Sequence, residues 1–230
     1  MKLADRVGAL TGAASTVLVI IGNDVLGIPA GRHDAHPTGQ QDLTDLHWLA
    51  GHPSAQAGIG LELLGLSLMI VFIAYLSSRV RAAGWLATAA LAGGVIEIAV
   101  KLASASPVLA AYLLRDELSP QTARVLIDMN STAFIVTWLP AGIFVACAAG
   151  AGLLTRTLGR VLGWGGIVAG SSLTLITAAT GVHVLSAVFV PWLLCMLWIL
   201  LVSLRLGLTR AGEQLQAPSI PAQSATAVAV

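Results

Sequence analysis

Six apolar segments, each near the length that crosses a lipid bilayer, leave this chain few ways to fold. They run approximately over 7–28, 57–78, 84–104, 131–154, 161–181 and 184–206, and a helix needs about 20 residues to cover roughly 30 Å of hydrocarbon. Inside lipid a spanning segment has to satisfy its own backbone donors and acceptors, which admits only helices and closed barrels. Long uninterrupted apolar runs, without strand alternation, select helices. Composition agrees, with 57% hydrophobic and 10% charged residues against about 25% charged in a soluble domain. The expected fold is all-α: an integral membrane bundle of six transmembrane helices over residues 1–210. The polar tail 211–230 has no helical periodicity and is expected to be disordered. Lys2 and Arg6 ahead of an apolar run resemble a signal peptide, but 7–28 is longer than a usual signal core, so the first span is expected to be retained.

Basic residues set the expected orientation, because they favour the cytoplasmic side. With six spans, Lys2, Arg6, Arg79, Arg81, Arg156, Arg160, Arg205 and Arg210 all fall on one face, accompanied only by Asp5 and Glu213. This predicts a cell-membrane protein with both termini cytoplasmic (N-in/C-in). Trp85 and Trp164, each four residues after an arginine, suit the interface, where an indole is apolar over its body and wet at its N–H. The near-neutral net charge of +1 gives no reason to expect nucleic acid as a partner. The expected partners are the bilayer and a small lipophilic ligand.

The loops expected on the outer side carry some structure of their own. Residues 42–51 read as a short interfacial helix with Leu43, Leu46 and Leu49 on one side and Gly51 as its stop. Pro107 can open a helical turn running to Leu118, and Ser119-Pro120 supplies an N-cap and first-turn proline, so span 4 starts well outside its apolar core. Pro140 and Pro191, inside spans 4 and 6, predict kinks. Gly8, Gly12 and Thr16 in span 1, and Gly166, Gly170, Thr174 and Ala178 in span 5, form small-residue stripes. Such stripes let helix backbones approach closely where lipid offers no hydrophobic drive.

The residues that carry chemistry are those a bilayer tolerates only for a reason. Glu62 lies about one turn into span 2; Glu97 and Lys101 share a face of span 3; Asn23 and Asp24 end span 1; Asp128 and Asn130 open span 4; and His183 sits between spans 5 and 6. All are expected in the outer half of the membrane. A charged carboxylate at a span centre costs about 2.5–3.5 kcal/mol on insertion scales, so Glu62 and Glu97 should face the bundle interior. Lys101, four residues beyond Glu97, is the expected partner of that glutamate. The site read from sequence therefore has Glu62 and Glu97 as catalytic carboxyls, with Asp24, Lys101, Asn130 and His183 around the ligand. A Glu97–Lys101 pair that merely neutralises itself is the competing account.

The outer loop holds His33, Asp34, His36, Asp42, Asp45, His47 and His52, ligand types that suit zinc, copper or nickel. Their spacing matches no metal motif, so no metal and no cofactor is expected. Cys147 and Cys195 lie within apolar stretches and read as packing residues. No phosphate-binding loop, nucleophile elbow or aspartate-rich prenyltransferase pair occurs.

Residues 60–75 of span 2 and the run Asp128-Met-Asn-Ser-Thr-Ala-Phe-Ile-Val-Thr-Trp-Leu-Pro140 resemble uncharacterised small multi-pass membrane proteins common in actinobacteria. The resemblance implies a polytopic helical protein and carries over no catalytic residues. The function expected from the residues is a carboxylate-lined pocket that binds or transforms a small lipophilic molecule, with acid-initiated chemistry like that of membrane terpene cyclases as its catalytic form. The alternatives are a proton- or cation-coupled transporter and a non-catalytic membrane scaffold or accessory subunit.

Overall fold

The computed structural model describes residues 3–26, 38–180 and 185–208, with side chains throughout except at 23–26, 180 and 185–187. Eight α-helices account for nearly all of it: α1 Leu3–Leu26, α2 Gly39–Gly51, α3 Pro53–Arg79, α4 Trp85–Leu113, α5 Pro120–Val136, α6 Trp138–Leu154, α7 Arg160–Thr180 and α8 Leu185–Leu208. Six helical segments are long and apolar enough to cross a membrane, with α5 and α6 together making one of 35 residues, Pro120–Leu154. The chain is an all-α, multi-pass membrane bundle.

The spanning helices close into a ring. α1 packs between α3 and α8; α8 adjoins α7, α7 adjoins α6, α6 adjoins α4, and α4 returns to α3. Large apolar side chains such as Leu64, Val71, Ile96, Val168 and Leu175 point outward and are exposed, as expected where lipid is the solvent. Trp85 and Trp164 are 74% and 61% exposed beside the arginines, in keeping with an interfacial position.

Small residues set how closely the ring closes. A Cβ on Gly12 would stand 2.6 Å from Phe72 Cδ2, and one on Gly170 would stand 2.5 Å from both Ala146 N and Gly142 O. The stripes therefore serve close packing, α1 on α3 and α7 on α6. A polar clip joins α1 and α8. Ser203 Oγ of α8 donates to Ala9 O of α1 and accepts from Ala13 N–H at 2.7 Å, so one hydroxyl is inserted into the hydrogen-bond ladder of its neighbour.

Two elements depart from expectation. Pro107 lies inside α4, which continues unbroken to Leu113, so no new turn begins there. The interruption expected at Pro140 appears at Thr137, between α5 and α6. Proline lacks the N–H that would reach the carbonyl four residues back, Val136, so the ladder fails just upstream of the ring. Pro191 stays within α8. The cap on α5 forms as read, with Ser119 Oγ accepting from Thr122 N–H at 3.2 Å. The outer-loop helix is α2; it starts at a capping box in which Thr38 N–H donates to Gln41 Oε1 at 2.7 Å and Gln41 N–H donates to Thr38 Oγ1 at 3.3 Å.

Candidate functional site: two adjoining chambers around Lys101

Near the α2 end of the ring, Glu62 of α3 and Lys101 of α4 meet across the helix interface, Nζ to Oε1 at 3.1 Å, with side chains 16% and 19% exposed for the lysine and glutamate respectively. The ammonium also lies 3.6 Å from the centroid of the Phe134 ring of α5, a cation–π contact that gains strength where water is scarce. Lys101 is thus held by a carboxylate from one helix and an aromatic face from another. The local expectation was a Glu97–Lys101 pair along α4; the lysine instead takes its ion pair from α3. An ammonium on a four-carbon stem can reach a neighbouring helix as readily as its own preceding turn, and the packing of α3 beside α4 offers that partner.

Two cavities share Lys101, Leu66 and Phe134 as a common wall. The larger, of about 370 Å³, is lined mainly by apolar residues of α3 and α4 and by Leu49 of α2, with Glu62, Lys101, Ser104 and Asn130 as its polar groups. The smaller, about 40 Å³, lies on the ring axis, where α1, α3, α4, α5, α6 and α8 all contribute side chains. Its lining includes Glu97, Ser15, Thr137, Trp138 and Trp192. Glu62 and Glu97 therefore do not face one another in one pocket; they occupy neighbouring chambers, with the lysine between.

Among the described residues Glu97 has no ion-pair partner within 4.0 Å. Two further polar groups of the axial chamber are orphaned: Ser15 Oγ and Trp138 Nε1 are buried with no hydrogen-bonding partner, the residues being 0% and 4% exposed. Thr137 by contrast is satisfied by Phe134 O at 2.6 Å. Buried donors without partners are uncommon in native proteins; Tyr75 Oη and Ser77 Oγ of α3, outside the chamber, share this condition. Sequence reading did not find Ser15, Trp138 or Phe134 as site residues. The nearness of Trp138 to Pro140 was the single visible signal.

The remaining sequence candidates fall as follows. Asn130 lines the larger cavity. Asp24 belongs to the last turn of α1, but its side chain lies outside those described, as does all of His183. Gly22 stands against α3 at Gly58 and Glu62, which brings that end of α1 to the larger chamber's glutamate. Of the loop groups, His33, Asp34 and His36 lie outside the described residues. Asp42 meets Arg124 at 3.6 Å, His47 Nδ1 is 3.6 Å from Asp116, and His52 Nδ1 is 2.6 Å from Trp48 O. Among the described residues no three His, Cys, Asp or Glu side chains gather as a metal site would need.

α2 roofs the larger chamber. Leu43 and Leu46 pack on Ala111 of α4 and Ala123 of α5 in a small core separate from that of the ring. Arg124 bridges the roof to α5, bonding Asp128 at 2.9 Å and facing Asp42. Burial pushes the Asp42 carboxyl above its ordinary range, and Arg124 partly offsets this.

No family model, curated protein or solved structure matches the chain.

Proposed function

We propose that the protein binds a small lipophilic molecule in the chamber of about 370 Å³ beneath α2, with Lys101, Glu62 and Asn130 as its polar anchors. The volume is in the range of small-molecule sites, which are mostly apolar with a few placed polar groups. The observation that carries this reading is the position of Lys101, fixed between the Glu62 carboxylate at 3.1 Å and the Phe134 ring at 3.6 Å on the wall of an otherwise apolar cavity. An ion pair inside a bundle gives uncertain return in stability, so its placement at a cavity favours a role in recognition. In the same proposal the protein lies in the cell membrane with both termini cytoplasmic, which puts the chamber in the outer half of the bilayer. The resemblance to small actinobacterial membrane proteins belongs to this reading and brings no activity with it.

Where chemistry follows binding, Glu62 serves as an anchor because its oxygen is engaged by Lys101, and acid-initiated chemistry falls to Glu97. A coupled transporter would use the same carboxylates but needs a polar route onward. Towards the arginine end the ring is filled by Phe72, Ile73, Leu76, Phe144 and Val202, none more than 1% exposed.

The test is mass spectrometry of the intact protein purified in mild detergent, comparing wild type with Lys101→Met and Glu62→Gln. A retained lipophile in wild type that is lost from both folded variants supports the proposal. Equal retention by all three proteins sinks it.

A further inference from the structure

A groove of about 480 Å³ runs along the outer face of the α7–α8 seam, walled by Val161, Trp164 and Val168 of α7 and by Leu194, Leu197 and Leu201 of α8. These six side chains are 44–86% exposed, so lipid is what they meet. Trp198 forms the floor; it is 4% exposed, and its indole N–H donates to Leu162 O at 2.7 Å, which fixes the ring against α7. Gly165 belongs to the same lining, and a Cβ built there meets nothing within 4 Å. A larger residue at that position would fill the groove without displacing a neighbour. From Val161 to Val168 the groove follows α7 for about 10 Å at 1.5 Å per residue, a shape that suits an extended hydrocarbon chain.

One end of this groove is positive. Arg160 is exposed and stands one residue ahead of Val161; Arg205 is exposed and lies one helical turn beyond Leu201. The two share the mouth, since a Cβ on Gly159, the residue before Arg160, would stand 3.0 Å from Arg205 Nη1. Arg6, Arg79, Arg81 and Arg156 add to the charge at this end of the bundle, where Asp5 is the one acid among the described residues. A second outward groove, lined by Val100 of α4 and Val125, Asp128 and Met129 of α5, differs in this respect. Its arginine, Arg124, is taken up by Asp128 at 2.9 Å and Asp42 at 3.6 Å. An apolar groove with a cationic mouth matches an acyl chain joined to an anionic head. Arginine suits phosphate through its forked donors, and basic pockets between spanning helices recognise anionic lipid headgroups. We propose that the α7–α8 groove is a binding site for an anionic phospholipid, with one acyl chain between Val168 and Leu197 and the phosphate held by Arg160 in the field of Arg205. The site is separate from the chamber beneath α2 and does not depend on it.

The experiment titrates the full chain in detergent micelles with dioleoylphosphatidylglycerol and dioleoylphosphatidylcholine, alike in their chains and different in headgroup charge. Native mass spectrometry counts the lipid bound to wild type, Arg160→Gln and Gly165→Leu. Wild type is expected to hold one phosphatidylglycerol more tightly than phosphatidylcholine. Arg160→Gln should cut that preference about fivefold, the share of one basic residue at an anionic headgroup, and leave phosphatidylcholine binding as it was. Gly165→Leu should lose both lipids from this site; it puts a better helix former in place of a helical glycine, and thermal unfolding at or above the wild-type temperature shows that it is folded. Equal affinity of wild type for the two lipids overturns the proposal, as does a preference that survives Arg160→Gln, or lipid binding indifferent to Gly165→Leu. A wild-type dimer that Gly165→Leu splits also overturns it, by assigning the groove to a second copy of the chain. Neither substitution touches the chamber beneath α2, so failure here leaves that pocket standing.

Discussion

The two ends of this bundle solve the same packing problem in opposite ways. Towards the arginines, α1, α3, α6, α7 and α8 meet through glycine, alanine and fully buried Phe72, Leu76 and Phe144; Ser203 is hydrogen-bonded there, while Tyr75 Oη and Ser77 Oγ are buried without a partner. Towards α2, the helices separate around two cavities and an ion pair. Stability is concentrated where the ring is dense, and the recognition we propose beneath α2 falls where it is not. Such a division is expected when a site carries groups that stability alone would not select.

The sharpest way to break the comparison is to open the dense end. Phe72→Ala removes a fully buried ring and should lower stability by on the order of 3 kcal/mol, read by unfolding in mixed micelles, while ligand retention per folded molecule persists. At the other end, Lys101→Met strands Glu62 and should cost about 2–3 kcal/mol, less than a fully buried pair because water still reaches the site. Adding Glu62→Leu should restore most of that loss without restoring ligand binding, the separation of roles that the comparison requires. Gly12→Ala places a methyl against the Phe72 ring and should cost about 1–3 kcal/mol by overpacking. Ser203→Ala should cost about 0.6 kcal/mol, the mean for interhelical hydrogen bonds in membranes, seen as faster amide exchange in α1 near Ala13.

The smallest expected effect concerns the roof. Because burial raises the Asp42 carboxyl above its ordinary 3.8, the folded state holds its proton more tightly than the unfolded one. α2 docking is therefore strongest below that value and weakens as pH rises through the elevated one. Hydrogen exchange over residues 39–51 across that window should show this slope, and Asp42→Asn should flatten it.

The apolar runs gave the six helices, and the charged and polar residues within or beside them gave Glu62, Glu97, Lys101 and Asn130 as candidates, because lipid penalises such residues wherever they stand. Ser119-Pro120 announced its helix start for an equally local reason. What the chain did not disclose depended on ring order. The i,i+4 rule favours Glu97 for Lys101, and only the packing of α3 beside α4 makes Glu62 the partner. Ser15 and Trp138 carry no pattern by themselves; a serine among small residues and a tryptophan beside a proline read as packing until six helices bring them to one axis. Pro140 marked a disruption, but the missing bond belongs to the carbonyl upstream, so the break falls at Thr137.

The clip between Ser203 and α1 has a consequence for biogenesis. The hydroxyl that locks α1 resides on α8, 194 residues further along, so this contact forms only after α2 to α7 have been made. Until α8 arrives with Trp192 and Met196, the axial chamber lacks one side. A truncated product ending before α8 would lack the Trp192 and Met196 side of the axial chamber and leave Glu97 beside an open seam.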